Sequence, residues 1–185
     1  MPPGQLEVSY HPAMPDIQTL YKRILAQLAS YLELASDSEL LQLRHDKTSD
    51  WDVAQHLVHL ARVDTSILNV LERDPAESKP LRGGPNPLGR CMLALGFIPR
   101  GKGRAPAIAN PREPELSDVA PQIERTQQRF VDLEPALPRL EQSGPLAPHF
   151  AFGKLNGKQW LRFVDIHHHH HDKIVRDIRN ATGHG

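Results

Sequence analysis

The sequence predicts an all-α fold, a four-helix bundle with a long Pro/Gly-rich connection after the second helix. Three observations predict it. Prolines are absent from residues 16–73 and 149–185, whereas eight of the 17 crowd into 75–114. A proline in a helix interior costs about 3 kcal/mol, so the clear blocks are where long helices can lie. Within those blocks apolar residues recur at spacings of three and four, and no alternation is long enough to mark a strand. At 185 residues, against a soft guide of roughly 150 per domain, the chain reads as one domain over 16–181 behind a flexible N-terminal arm over 1–15.

The first helix opens at Asp16, after Pro15, and its face is Ile17, Leu20, Ile24, Leu25, Leu28, Tyr31 and Leu32. It stops in the Ser/Asp-rich stretch 35–38. Residues 39–48 read as a linker with room for a short helical turn. The second helix starts with Ser49 as N-cap and Asp52 three residues on, an acidic variant of the capping box, and ends near Arg73. Its main stripe is Val53, Leu57, Leu60, Ile67, Leu68 and Leu71. Residues 74–115 are an irregular excursion in which 88–97 forms a short apolar helix carrying Cys91. So long an excursion is usually functional or disordered, and its apolar insert argues for a lid packed on the body. The third helix fits 117–133, capped by Ser117 or Asp118, with Pro121 tolerated in its first turn. The fourth begins at Asn156, with Gln159 completing a capping-box pattern, and runs to about Asn180.

Charge and composition exclude several roles. Basic and acidic residues number 22 each, which disfavours the broad basic surface that nucleic-acid binding needs. No stretch approaches the ~18 apolar residues of a membrane span. The N-terminus has no basic segment followed by an apolar core, which points to a cytoplasmic protein. The single cysteine, Cys91, excludes an internal disulfide and reads as a packed core thiol.

Histidine is the informative surplus. Five of eleven stand together at 167–171. An affinity tag is the bland explanation, but the run is internal and helical periodicity passes straight through it. At 100° per residue, Trp160, Val164, His167, His171, Ile174 and Ile178 fall within about 40° of one line. His167 and His171 therefore take core positions, His169 falls opposite, and His168 and His170 lie on the flanks, free to be solvated. Two imidazoles four residues apart can bite one metal ion, and ligation removes the cost of burying them unpartnered. The alternative is a pair of histidines hydrogen-bonded to facing helices. A third ligand is available on the second helix, from His56 or His59. Periodicity leaves both open, with His56 nearer the main stripe. Asp64 sits within that stripe and needs a partner, in a structural hydrogen bond or else as an acceptor or base beside the site. Arg100, Lys102 and Arg104, interleaved with glycines, are candidate contacts for an anionic cofactor, although the spacing is not a phosphate-binding loop and a solvated basic loop is the plainer reading.

Trp51 followed by His59-Leu60, together with Phe152-Gly153-Lys154-Leu155, Trp160 and His167-x-x-His170-His171, resembles the DinB-like superfamily of bacterial four-helix bundles. The resemblance covers roughly 49–64 and 150–178, and the segment 97–106 is similar to an uncharacterised branch. It implies a divalent metal, zinc or nickel, held by His59, His167 and His171, with His56 as a neighbour behind the ligands; Asp64 and His170 are further candidates for that place. It also implies the chemistry of relatives that use low-molecular-weight thiols such as bacillithiol or mycothiol. The expectation is then a metal-dependent thiol S-transferase, or a related hydrolase-like enzyme, acting on a small molecule through an activated thiol or water. The alternative is a non-catalytic metal-binding bundle or a homodimeric interaction module, without nucleic acid or membrane as partner.

Overall fold

A computed structural model describes residues 14–74, 81–100 and 109–184. The expected arm therefore lies almost wholly outside the described residues, as do Lys102 and Arg104. In chain order the elements are α1 (Ile17–Ala35), α2 (Ser38–Leu41), α3 (Val53–Leu71), α4 (Pro87–Leu95), α5 (Val119–Asp132), α6 (Leu137–Glu141), the strands β1 (Ala147–His149) and β2 (Gly153–Leu155), and α7 (Gly157–Ala181). Short 3-10 turns precede α5 and α6.

The fold is all-α in character, but the expected four-helix bundle is corrected: seven α-helices and a two-stranded antiparallel sheet lie among the described residues. Of the three additional helices, α4 falls on the short apolar helix expected at 88–97 and α2 meets the helical turn allowed for in 39–48, whereas α6, five residues long with Pro138 in its first turn, leaves no period to read. The strands are three residues each, too short to leave an alternation in the sequence.

Local chemistry sets each boundary. The Asp16 carboxylate accepts from the Thr19 amide at 2.8 Å and starts α1. Asp52, not Ser49, caps α3, in a reciprocal box with Gln55: Asp52 accepts from the Gln55 amide at 2.7 Å and its own amide donates to Gln55 Oε1 at 3.0 Å. Asn156 and Gln159 make the same box at the start of α7. Pro87 fits the first turn of α4, and Gly96, with φ +71°, ends it in the left-handed conformation.

The core is shared by the four longest helices. α5 packs on α3 and α1, and α7 packs on the same two, so α1 and α3 each touch both. Phe130, Leu20, Ile24, Leu57, Leu68 and Ile123 are fully buried there. The hairpin β1–β2 pairs Ala147 with Leu155 and His149 with Gly153. It clasps the stretch before α4: the Asn86 amide donates to the Phe152 carbonyl at 2.9 Å and the Lys154 amide to the Gly84 carbonyl at 3.2 Å. Against expectation Cys91 is exposed, because α4 buries Gly89, Met92 and Leu93 instead. Among the described residues no helix is long and apolar enough to cross a membrane.

Candidate metal centre

Two long helices deliver the histidines. α3 carries His56 and His59 on the side facing α7, and α7 carries His167 and His171 one turn apart on its buried face. His59, His167 and His171 are all buried and offer nitrogen atoms within 4.8 Å of one another. This three-imidazole cluster can coordinate a divalent metal ion.

Hydrogen bonds orient the rings from behind. His59 Nδ1 stands 2.7 Å from the Ala109 carbonyl oxygen. A carbonyl only accepts, so Nδ1 carries the proton and the lone pair sits on Nε2. That Nε2 faces His167 Nε2 at 3.3 Å. The gap is long for a hydrogen bond, yet two nitrogens bound at ~2.0–2.1 Å to a tetrahedral ion lie ~3.3–3.4 Å apart. His171 Nδ1 is 2.9 Å from His56 Nδ1, and His56 Nε2 is 3.0 Å from the Ser49 hydroxyl, which also accepts the Trp51 amide. With His56 donating to Ser49, His171 donates through Nδ1 and keeps its Nε2 lone pair free. Ser49 thus serves the ring behind the cluster rather than the start of α3.

The surroundings are aromatic. Phe163 stacks on His167 with an interplanar angle of 14°, and the half-buried Trp51 lies parallel to His171 at 11° while touching His56 and His59. Burial in this apolar setting pushes the pKa of His167 and His171 well down and lowers that of His59, with the neighbouring imidazoles adding to the effect on the α7 pair. His56 falls to about 3 for the same reasons. All four are neutral at pH 7, the form that ligates.

The remaining sequence candidates separate. Asp64 is fully buried and its Oδ2 lies 2.7 Å from Nε2 of an equally buried His168, which sets it apart from the triad. His168 departs from the expected solvated position because α1 covers that flank, with Tyr31 packed edge-on against its ring. His170 Nδ1 meets the Ile98 carbonyl at 3.1 Å, and its ring touches His171. His169 is exposed as expected. Arg100 pairs with Asp177 at 2.7 Å and hydrogen-bonds to none of the triad. The sequence offers Ser49 only as a helix cap, and it does not point to Phe163 or the Ala109 carbonyl as parts of a site. Ser49 stands seven residues before His56, a spacing that carries no helical signal across the irregular segment between them, and a backbone carbonyl leaves none at all.

No curated protein and no solved structure matches this chain. A family model does match, over residues 26–178, and its description is protein of unknown function (DUF1569). That finding and the seven helices overturn the resemblance to the DinB-like superfamily, which no match names. With the match spanning well over half its length, the chain belongs to the DUF1569 family.

Proposed function

We propose that His59, His167 and His171 together hold one divalent transition-metal ion, and that the protein uses it to activate a thiol or a water toward a small electrophilic substrate. The observation that carries this reading is the 3.3 Å separation of two facing ring nitrogens, each lacking another acceptor or donor, within a neutral buried cluster. An ion held by these three imidazoles with a fourth position open would supply Lewis acidity and lower the pKa of a thiol or water bound to it. Zinc suits this donor set, and nickel is the second candidate.

The chain's own residues supply orientation and dryness. The Ala109 carbonyl holds the proton of His59 on Nδ1, and His56 backed by Ser49 holds that of His171 on Nδ1. Such partners behind a ligand fix its tautomer and raise its basicity. Trp51 and Phe163 wall the cluster and keep water from its sides. A low-molecular-weight thiol is the proposed co-substrate because, among the described residues, the cluster itself is built of imidazoles alone, the Ser49 hydroxyl lies behind it on His56, and Cys91 is exposed on α4.

One observation favours a second reading, a metal-binding module without turnover. Among the described residues no carboxylate hydrogen-bonds to the triad, and Asp64 is committed to His168. Two measurements separate the readings. Metal-stripped protein reloaded with zinc or nickel should take up one ion per chain, with uptake lost in His59→Ala, His167→Ala and His171→Ala. Stoichiometric uptake by the triple variant would sink the site. The loaded protein should then accelerate conjugation of a thiol to an electrophile above the rate given by the free ion. Uptake without turnover across a panel of thiols, water included, selects the binding module.

A further inference from the structure

We propose that the groove between α3 and α5 binds a phosphate-bearing small molecule. The groove has a volume of about 450 Å³, in the range of small-molecule sites. It is lined by Arg62, Thr65 and Asn69 from α3 and by Arg125, Thr126 and Arg129 from α5. Those residues recur at helical spacing on each element, so one face of each helix is given over to donors. No carboxylate lines it.

The three guanidinium groups are not equivalent. Arg129 is committed: its Nε and Nη2 reach both oxygens of Glu72, at 3.0 and 2.6 Å, and Nη2 also reaches Asn69 Oδ1 at 2.8 Å. Arg62 donates to the Asn110 carbonyl, a neutral acceptor that leaves its charge unmatched. Arg125 is exposed and makes no hydrogen bond or ion pair among the described residues. Arg125 and Arg129 are four apart on one helix face, a like-charge spacing that destabilises a helix. In a chain whose charges balance to zero, this groove keeps two positive charges without an anion. The planar forks of Arg62 and Arg125, with the exposed Thr65 hydroxyl on the same groove wall as Arg62, suit a tetrahedral oxyanion bound bidentately, whereas the buried Thr126 spends its hydroxyl proton on the Gln122 carbonyl at 2.9 Å. Arg129, already fixed by Glu72, acts as the rigid wall, and Arg125 closes on the ligand.

The groove shares α3 with the histidine cluster but none of the three clustered histidines, so the proposal stands or falls separately. Isothermal titration of the full-length protein with inorganic pyrophosphate, after chelator treatment, tests it. Pyrophosphate should bind the parent and the His167→Ala variant alike. Affinity should fall roughly tenfold in Arg125→Ala and partly recover in Arg125→Lys, which keeps charge but not the fork. Three results would each overturn the proposal: no heat from pyrophosphate at millimolar concentration, equal binding of sulfate at matched ionic strength, or unchanged affinity in both Arg125→Ala and Arg62→Ala. The Arg125 side chain is exposed and holds no hydrogen bond or ion pair among the described residues, so its loss leaves the protein folded and the comparison valid.

Discussion

At the scale of single residues, the cluster is defined as much by the groups behind the imidazoles as by the imidazoles themselves. His59 leans on a backbone carbonyl that no side-chain substitution can delete, whereas His171 leans on His56 and, through it, on Ser49. That difference makes His56 the informative position. Replacing His56 with Phe keeps the ring volume against Trp51 but removes the partner of His171 Nδ1. Metal affinity should drop about ten- to hundredfold with the stoichiometry of one retained, because a partner behind a ligand tunes it without being one. Competition against a chromophoric chelator reads this directly, and affinity equal to the parent's would show that the relay is idle. The same scale shows what a helical wheel can and cannot read. Asp64 in an apolar stripe announced a buried partner, but its identity as His168 was hidden. The wheel set His168 on a flank, yet α7 is flanked by α1 and α3 together, so its buried arc is wider than one stripe.

At the scale of elements, legibility followed length. α1, α3 and α7, of 19, 19 and 25 residues, repeat their period often enough to be read, and the Asn156 box fixes the start of α7. The hairpin and α6 were not readable, since three or five residues cannot show a period. Yet the hairpin governs how α4 sits. A Cβ added at Gly89 would lie 2.3 Å from the Phe152 carbonyl oxygen. Alanine is the better helix former by about 1 kcal/mol, but backbone would have to move to admit it. Gly89→Ala should therefore destabilise by about 1–3 kcal/mol in urea unfolding, and a gain in stability would show that α4 lifts freely from the hairpin. A second element device is the segment 109–112, which crosses α3 under three side chains one turn apart. Gln55 Nε2 donates to the Arg112 carbonyl at 2.8 Å, His59 to that of Ala109 at 2.7 Å, and Arg62 to that of Asn110. Arg112 holds φ +53°, a left-handed conformation costing on the order of 1 kcal/mol, which those bonds must sustain. Gln55→Glu keeps the acceptor for the Asp52 amide but turns the strap's donor into a carboxylate oxygen that repels the Arg112 carbonyl. Tryptic cleavage after Arg112 should become several-fold faster in that variant, and metal loading should slow it in the parent by fixing His59. Cleavage indifferent to both changes would separate the strap from the cluster.

At the scale of the whole molecule, the interior holds several imidazoles that folding keeps neutral, and this sets the response to acid. His149 shows it away from the clustered histidines. It lies in β1 among Phe152, Trp160 and Phe163, and burial lowers its pKa from 6.5 to about 4. Its Nδ1 accepts the amides of both Ala151 and Phe152 at 3.1 Å, so a proton arriving there would turn the hairpin's acceptor into a donor. The unfolded chain takes up that proton near pH 6.5 and the folded chain only near 4, so below 6.5 the unfolded state binds more protons. The stabilisation from the neutral ring is thus complete above about pH 6.5 and drains away as pH falls toward 4, by about 3 kcal/mol in all. His149→Asn separates this from general acid denaturation. The Asn side-chain oxygen reaches the position of Nδ1 and accepts the same two amides, but it does not titrate between pH 4 and 7. The variant should be less stable at pH 7, having lost the ring's packing, and its urea midpoint should fall less steeply between pH 6.5 and 4 than the parent's. Measured on metal-stripped protein, so that ligand protonation and metal loss do not enter, equal slopes for parent and variant would remove His149 as the source and leave the acid response to the buried histidines of α3 and α7.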